Sequence, residues 1–175
     1  GFYFAMLLAL FALFFRPVGF DYRSKIADPR WRNAWDWGLF IGGAVPALVF
    51  GIAFGNLLQG VPFHLDELLQ PYYSGSFFGL LNPFALLAGL ISLGMLVMHG
   101  AIWLQLRTAE PIAGRAKVVA KKAGLATIVA FALAGIWLTI GVEGYKVVSM
   151  PALDATPNPL TKEVIREGFG WLANY

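Results

Sequence analysis

Formal charge is missing from four long stretches of this chain: residues 1–15, 37–65, 68–106 and 123–142 contain no Asp, Glu, Lys or Arg. Together they hold 103 of the 175 residues. A helix on a water-soluble domain sets a polar face opposite its apolar stripe, and these stretches cannot supply one. A bilayer removes that requirement, because about 20 apolar residues of helix cross its hydrocarbon core. The pattern predicts an all-α fold, a polytopic transmembrane helix bundle with four spans near residues 1–15, 38–58, 80–106 and 123–142. The first of these, about 22 Å of helix, is short for a crossing.

Gly1 opens the chain with neither a basic n-region nor a small-residue cleavage motif, so residues 1–15 are not read as a signal peptide. The short first span and the closing aromatics Trp171 and Tyr175 set an expectation that this is an internal stretch of a larger polytopic protein.

The bases are sorted by side. Arg16, Arg23, Lys25, Arg30 and Arg32 lie between the first two spans, and Arg107, Arg115, Lys117, Lys121 and Lys122 between the third and fourth. The loop between the second and third has no base, only His64, Asp66 and Glu67. By the positive-inside rule, loops 16–37 and 107–122 face the cytoplasm, and loop 59–79 and the segment 143–175 face outward. The net charge of +3 is then a topology signal rather than a nucleic-acid footprint, and no nucleic-acid partner is expected. Trp31, Trp35, Trp37 and Trp103 mark the inner interface, and Tyr72, Tyr73, Phe77 and Phe78 the outer one. Asp28 and Pro29 read as the cap and first residue of a short interfacial helix carrying Trp31 and Trp35.

Two further patterns concern packing. Gly43, Ala47, Gly51 and Gly55 recur every four residues in the second span, a small-residue stripe that lets two helix backbones approach. Pro46 lies in the same span and is expected to kink it. In the outer segment 143–175, Asn158 and Pro159 read as a helix start. Leu160, Val164 and Leu172 then follow at helical spacing opposite Lys162, Glu163, Arg166 and Glu167, so an amphipathic helix is expected there.

Chemistry-bearing residues are few. The absence of cysteine removes disulfides, thiolate metal sites, iron–sulfur clusters and c-type haem attachment. His99 is the only histidine inside a span, with Met95 four residues before it. Haem iron accepts both residue types, but one helix cannot set them on opposite faces of a haem. His99 is therefore read first as a packing residue and no metal site is assigned. The densest polar cluster is Phe14 to Lys25, where Pro17 and Gly19 are expected to end the first helix directly after Arg16. Arg16, Asp21 and Arg23 form its candidate site, either as topology anchors or as a proton-entry or ion-pair site at the cytoplasmic surface. No nucleotide loop, zincin helix or nucleophile elbow is present, and no catalytic residue is assigned.

Several stretches carry a family resemblance: FFRPVGFDYRSKI, WRNAWDWGLFIGGAVPALVFGIAFGNLLQGVPF at Trp31–Phe63, GLLNPFALLAGL at Gly79–Leu90, ALAGIW at Ala132–Trp137 and NPLTKEVIREGFGWL at Asn158–Leu172. In order and in wording they resemble the second subunit of cytochrome bd-type quinol oxidases. The resemblance implies a bacterial plasma (inner) membrane complex that oxidises quinol and reduces O2 to water in aerobic respiratory electron transport. Haems b558, b595 and d are expected on the first subunit, the main partner. A bound quinone and a small accessory subunit are further expectations, and none of the cofactors is expected on this stretch alone, which should be inactive by itself. The family's second subunit has eight spans, of which these would be the third to the sixth. Arg16 matches the family motif and would stand where it can pair with an intramembrane carboxylate outside this stretch. Two other classes stay open beside this one: a secondary transporter, suggested by the Gly- and Pro-containing second span, and a purely structural membrane scaffold. An inverted repeat or a mid-span polar pair would favour the transporter, and the sequence has neither.

Overall fold

A computed structural model describes residues 2–150 and 162–173. Four helices are long and apolar enough to cross a membrane: α1 (Phe2–Tyr22), α2 (Pro29–Gln59), α3 (Pro83–Arg107) and α4 (Ile112–Gly141), each with an apolar window of mean hydropathy between 1.8 and 2.1. Two antiparallel strand pairs accompany them, the hairpin of β1 (Phe63–Leu65) with β2 (Pro71–Tyr73), and β3 (Gly144–Ser149) with β4 (Glu163–Glu167), followed by one helical turn, α5 (Gly170–Ala173). The architecture is the expected all-α polytopic bundle. The chain divides into two units, residues 1–131 and 132–175, with the boundary inside α4.

In the first unit α2 is the central element, packed against both α1 and α3. It begins where Asp28 and Pro29 predict. The Asp28 carboxylate accepts a hydrogen bond from the Arg30 amide at 2.9 Å, and Pro29 takes the first helical position. The expected short interfacial helix is not separate, however. It runs without interruption into the span, through Pro46, for 31 residues. Proline is tolerated inside a spanning helix where neighbouring helices cover the freed backbone group, and Pro46 is buried.

The first span also differs from expectation. Pro17 and Gly19 do not end α1, which continues to Tyr22, and its 21 residues give about 31 Å of helix. Tertiary packing overrides the local signal. Gly19 is buried, and a Cβ there would lie 2.8 Å from Leu39 Cδ2, so the glycine lets the last turn of α1 lie against α2. Helical bonding persists past it, with Arg23 N donating to the Gly19 carbonyl at 3.0 Å. The basic loops shrink accordingly. Only residues 23–28 join α1 to α2 and only 108–111 join α3 to α4, so Arg115, Lys117, Lys121 and Lys122 are helical residues of α4 rather than loop bases.

The α2–α3 contact is made of backbone and small side chains. A Cβ on Gly51 would fall 2.6 Å from the Ala88 carbonyl oxygen and 2.6 Å from Gly89 Cα, and one on Gly55 would fall 2.8 Å from Ala85 Cα. The approach is reciprocal, since a Cβ on Gly89 would lie 3.1 Å from the Leu48 carbonyl oxygen. Ala47 is buried, whereas around Gly43 there is open space. The contact with α1 passes through Gly42 instead, where a Cβ would lie 2.9 Å from the Ala12 carbonyl oxygen. Farther along, Gly94 of α3 faces Thr127 of α4.

The second unit corrects the expected amphipathic helix. Glu163–Glu167 is a strand, paired antiparallel with Gly144–Ser149 in the register Tyr145↔Arg166, Lys146↔Ile165 and Val147↔Val164. The cap at Asn158 and Pro159, with Leu160, lies outside the described residues. The β-branched residues Val147, Val148, Val164 and Ile165 favour a pleated pairing over a helix with three widely spaced apolar positions. Lys146 Nζ stands 3.4 Å from Glu167 Oε2, and the Arg166 guanidinium lies 5.5 Å from the Tyr145 ring centre, both cross-strand contacts. Gly144 and Gly170 meet backbone to backbone, a Cβ on the first falling 2.5 Å from the Gly170 carbonyl carbon.

These contacts separate the two ends of the stripe. Gly51→Ala forces a Cβ onto α3 backbone and is expected to cost about 1–3 kcal/mol, the usual range for overpacking. Gly43→Ala meets nothing and is expected to be neutral. Melting temperatures of the two purified variants check this, and equal values would remove the α2–α3 contact from the stability of the bundle.

Candidate functional site

The polar residues singled out from the sequence converge on the turn end of α1 and α2, though not in the grouping expected. Arg23, one residue beyond α1, reaches Asp36 on the second turn of α2. Its Nε donates to Asp36 Oδ1 at 2.5 Å and its Nη2 to Oδ2 at 3.0 Å, a two-bonded fork. Those hydrogen bonds, and then the carboxylate's charge, raise the Arg23 pKa above the ordinary guanidinium value. The pair is solvent-exposed on both sides. It therefore orients the turn more than it stabilises the fold.

Aromatic rings close the same turn. Trp31 Nε1 donates to the Tyr22 carbonyl at 2.9 Å, an oxygen that also accepts from the Lys25 amide at 3.2 Å, so indole and backbone both hold the end of α1. Trp35 stacks on Tyr22 with ring centres 6.2 Å apart and meets Trp31 edge-on at 5.8 Å. Lys25 Nζ sits 4.2 Å from the Tyr22 ring centre.

Arg16 and Asp21 are both exposed, and among the described residues neither forms an ion pair. Arg16 is placed by a notch in α2: a Cβ on Gly42 would lie 2.8 Å from Arg16 Cγ, so the missing side chain makes room for the arginine stem. Of the three residues read as one cluster, only Arg23 has its partner within the described residues, and that partner, Asp36, was not singled out. Asp36 carries no local signature; it stands 13 positions from Arg23, and only the α1–α2 turn brings the two together.

A second polar group was missed altogether. Asn56, 3% exposed, is the one buried polar residue among those described. Its amide donates to the Ile52 carbonyl at 2.8 Å and to the Leu80 carbonyl at 2.7 Å. Its oxygen accepts from Asn82 Nδ2 at 3.1 Å, while Asn82 Oδ1 caps α3 by accepting from the Ala85 amide at 2.8 Å. Of these four hydrogen bonds two, Asn56 to the Leu80 carbonyl and Asn82 to Asn56, tie the last turns of α2 to the segment that opens α3. The Asn82–Pro83 pair carries the same cap-and-proline signature that Asp28–Pro29 does, so half of this group could have been found by that rule.

His99 is exposed on α3, as is Met95. His64 lies in β1, stacked on Tyr72 at 5.8 Å. Among the described residues no group of three or more His, Cys, Asp or Glu could hold a metal ion. What the arrangement offers is an ordered turn with an exposed arginine, Arg16, on the last turns of α1.

Removing the buried amide tests the second group. Asn56→Leu leaves the Leu80 carbonyl and Asn82 without their partner. It is expected to lower stability by about 1–3 kcal/mol, the cost of a buried polar group left unsatisfied. A denaturation midpoint unchanged from wild type would show the network to be dispensable.

One family and three curated relatives are similar to this chain. The family described as Cytochrome bd terminal oxidase subunit II matches residues 1–172. The cytochrome bd-I ubiquinol oxidase subunit 2 of Escherichia coli K12 is 59% identical over all 175 residues, and the probable cytochrome oxidase subunit 2 of Haemophilus influenzae is 58% identical over the same length. The cytochrome bd ubiquinol oxidase subunit 2 of Bacillus subtilis is 30% identical over 122 residues, 70% of this chain and 35% of that protein. The chain spans 46% of the length of each of the first two.

Proposed function

We propose, because the chain belongs to the cytochrome bd terminal oxidase subunit II family, that it works as subunit II of a bd-type quinol oxidase in a bacterial inner membrane. Two quinols give four electrons and four protons, and one O2 becomes two waters. Cytochrome bd oxidases carry haem, and in this reading haems b558, b595 and d reside on subunit I, with which the chain pairs. A bound quinone and a small accessory subunit complete the expected assembly. The observation that carries the reading is the 59% identity sustained over the whole chain. The structure supports it with apolar surface that is uncovered in this chain: Leu125, Ile128, Val129 and Phe131 of α4 are all exposed, as are Phe4, Leu10, Phe11 and Phe14 of α1. The decisive experiment is purification through a tag on the full-length subunit, followed by an absorption spectrum and quinol-driven oxygen uptake. A haem-bearing partner and oxygen uptake are expected. A protein that purifies without haem and moves a solute across vesicles would overturn the reading in favour of a transporter.

The turns 23–28 and 108–111, with the bases that flank them, face the cytoplasm in this proposal, and the β1–β2 hairpin faces outward. These 175 residues contain no cysteine, so Ser24→Cys and Ser74→Cys each add one new thiol here, and labelling is scored against the protein without either substitution. An impermeant thiol reagent added to intact cells is expected to modify position 74 and spare position 24; the opposite pattern inverts the topology.

Arg16 carries the functional bet. The proposal pairs it with a carboxylate from the remainder of the protein and gives that carboxylate a part in proton uptake. An opposite charge within about 4–6 Å favours the ionised carboxylate, so the group stands unprotonated and passes on readily any proton it receives. Asp21 and Arg23 would then be the ordered edge of the same cytoplasmic site. If Arg16 grips its carboxylate with two nitrogens, Arg16→Lys is expected to lower turnover severalfold at unchanged haem content, since an ammonium lacks the planar fork. Arg16→Gln should lower it further. Wild-type turnover in both assembled variants would reduce Arg16 to a snorkelling anchor.

A further inference from the structure

At the turn end of α1 and α2 an apolar groove leads by direct contact to an unneutralised cation. The groove, of about 350 Å³, is lined by Phe11, Phe14, Phe15, Val18 and Trp35, with no charged side chain among them. Trp35 is stacked on Tyr22, and Tyr22 carries the Lys25 ammonium on its ring. Hydrocarbon bed, indole, phenol and ammonium therefore follow one another in the order in which an amphiphile presents its tail, its interfacial region and its head. The rings are held in place, since Trp31 locks the Tyr22 carbonyl and meets Trp35 edge-on.

Charge decides the kind of head. Arg23 is neutralised by Asp36. Lys25 forms no ion pair among the described residues, and residues 16–37 hold five bases against three acids. A zwitterionic head gains little from an excess cation, whereas a phosphodiester with net negative charge gains directly. We propose that this groove is a binding site for an anionic phospholipid, one acyl chain lying along Phe11, Phe14, Phe15 and Val18 against Trp35, and the phosphate at Lys25. The site asks only that α1 and α2 lie in a membrane and does not depend on the oxidase reading.

The test uses the purified full-length protein with whatever subunits accompany it, depleted of lipid in detergent and titrated with tail-labelled phosphatidylglycerol or phosphatidylcholine. Wild type is expected to bind phosphatidylglycerol more tightly than phosphatidylcholine. Lys25→Gln should weaken phosphatidylglycerol about fivefold, the effect of one basic residue near an anionic surface. The same variant should leave phosphatidylcholine unchanged, and Lys25→Arg should restore the difference. Lys25 is on the exposed turn, so neither change threatens folding. Val18→Trp, which fills the groove, should weaken both lipids. Equal affinity for the two lipids in wild type, or no effect of Lys25→Gln, overturns the site and leaves ordinary bilayer contact. A photo-crosslinker at Phe14 that captures a protein helix instead of lipid in the native complex overturns it as well, by showing the groove to be a helix seat.

Discussion

Close approach between α2 and α3 underlies the rest of the first unit. At Gly51 and Gly55 the α2 backbone lies so near Ala85, Ala88 and Gly89 that a single added carbon would meet backbone atoms. Apolar side chains gain little by leaving lipid for one another, so spanning helices associate through van der Waals packing and interhelical hydrogen bonds. Smooth backbone-to-backbone contact supplies the first, and it makes α2 the helix on which both neighbours are mounted. The same need for nearness explains Gly42 and Gly19, which bring α1 against α2 through the Arg16 stem and through Leu39 respectively.

Each end of this packed core is closed by polar groups, and the two closures differ in kind. Where α2 gives way to α3 the closure is buried and neutral. Asn56 satisfies two carbonyls and an asparagine amide in a place water does not reach. At the α1–α2 turn it is exposed and charged, a guanidinium–carboxylate fork with aromatic rings beside it. A buried amide network fixes helix register because any slip leaves a polar group unpaired at high cost. An exposed ion pair is too weak for that and only orients the turn. The turn end also holds bases outside that fork, Arg16 and Lys25 among them, and both functional readings fall there.

Legibility follows the range of the interaction. Asp28–Pro29 was readable as a helix start because cap and proline act on adjacent backbone, and Asn82–Pro83 was readable by the same rule. Periodicity of four in the small residues indicated close packing but not its partner. Gly43 belongs to that period and faces open space, while its neighbour Gly42 makes the contact with α1. Pro17 and Gly19 are strong local breakers, yet burial of Gly19 against α2 carried the helix on to Tyr22. The outer segment shows the reverse error. Sparse helical spacing was outweighed by β-branched residues that found cross-strand partners in 144–149.

What the sequence determined by itself is what depends on composition along the chain. The four uncharged stretches required a lipid solvent and hence helices, and the long motifs carried the resemblance to the family. What only the tertiary structure decided is which residues meet. The Arg23–Asp36 fork, the Asn56–Asn82 tie and the choice of Gly42 over Gly43 join positions on different helices or across a turn. Their pairing depends on how one helix is rotated against the next, a single angle per helix pair that no local propensity encodes and that packing of small side chains sets.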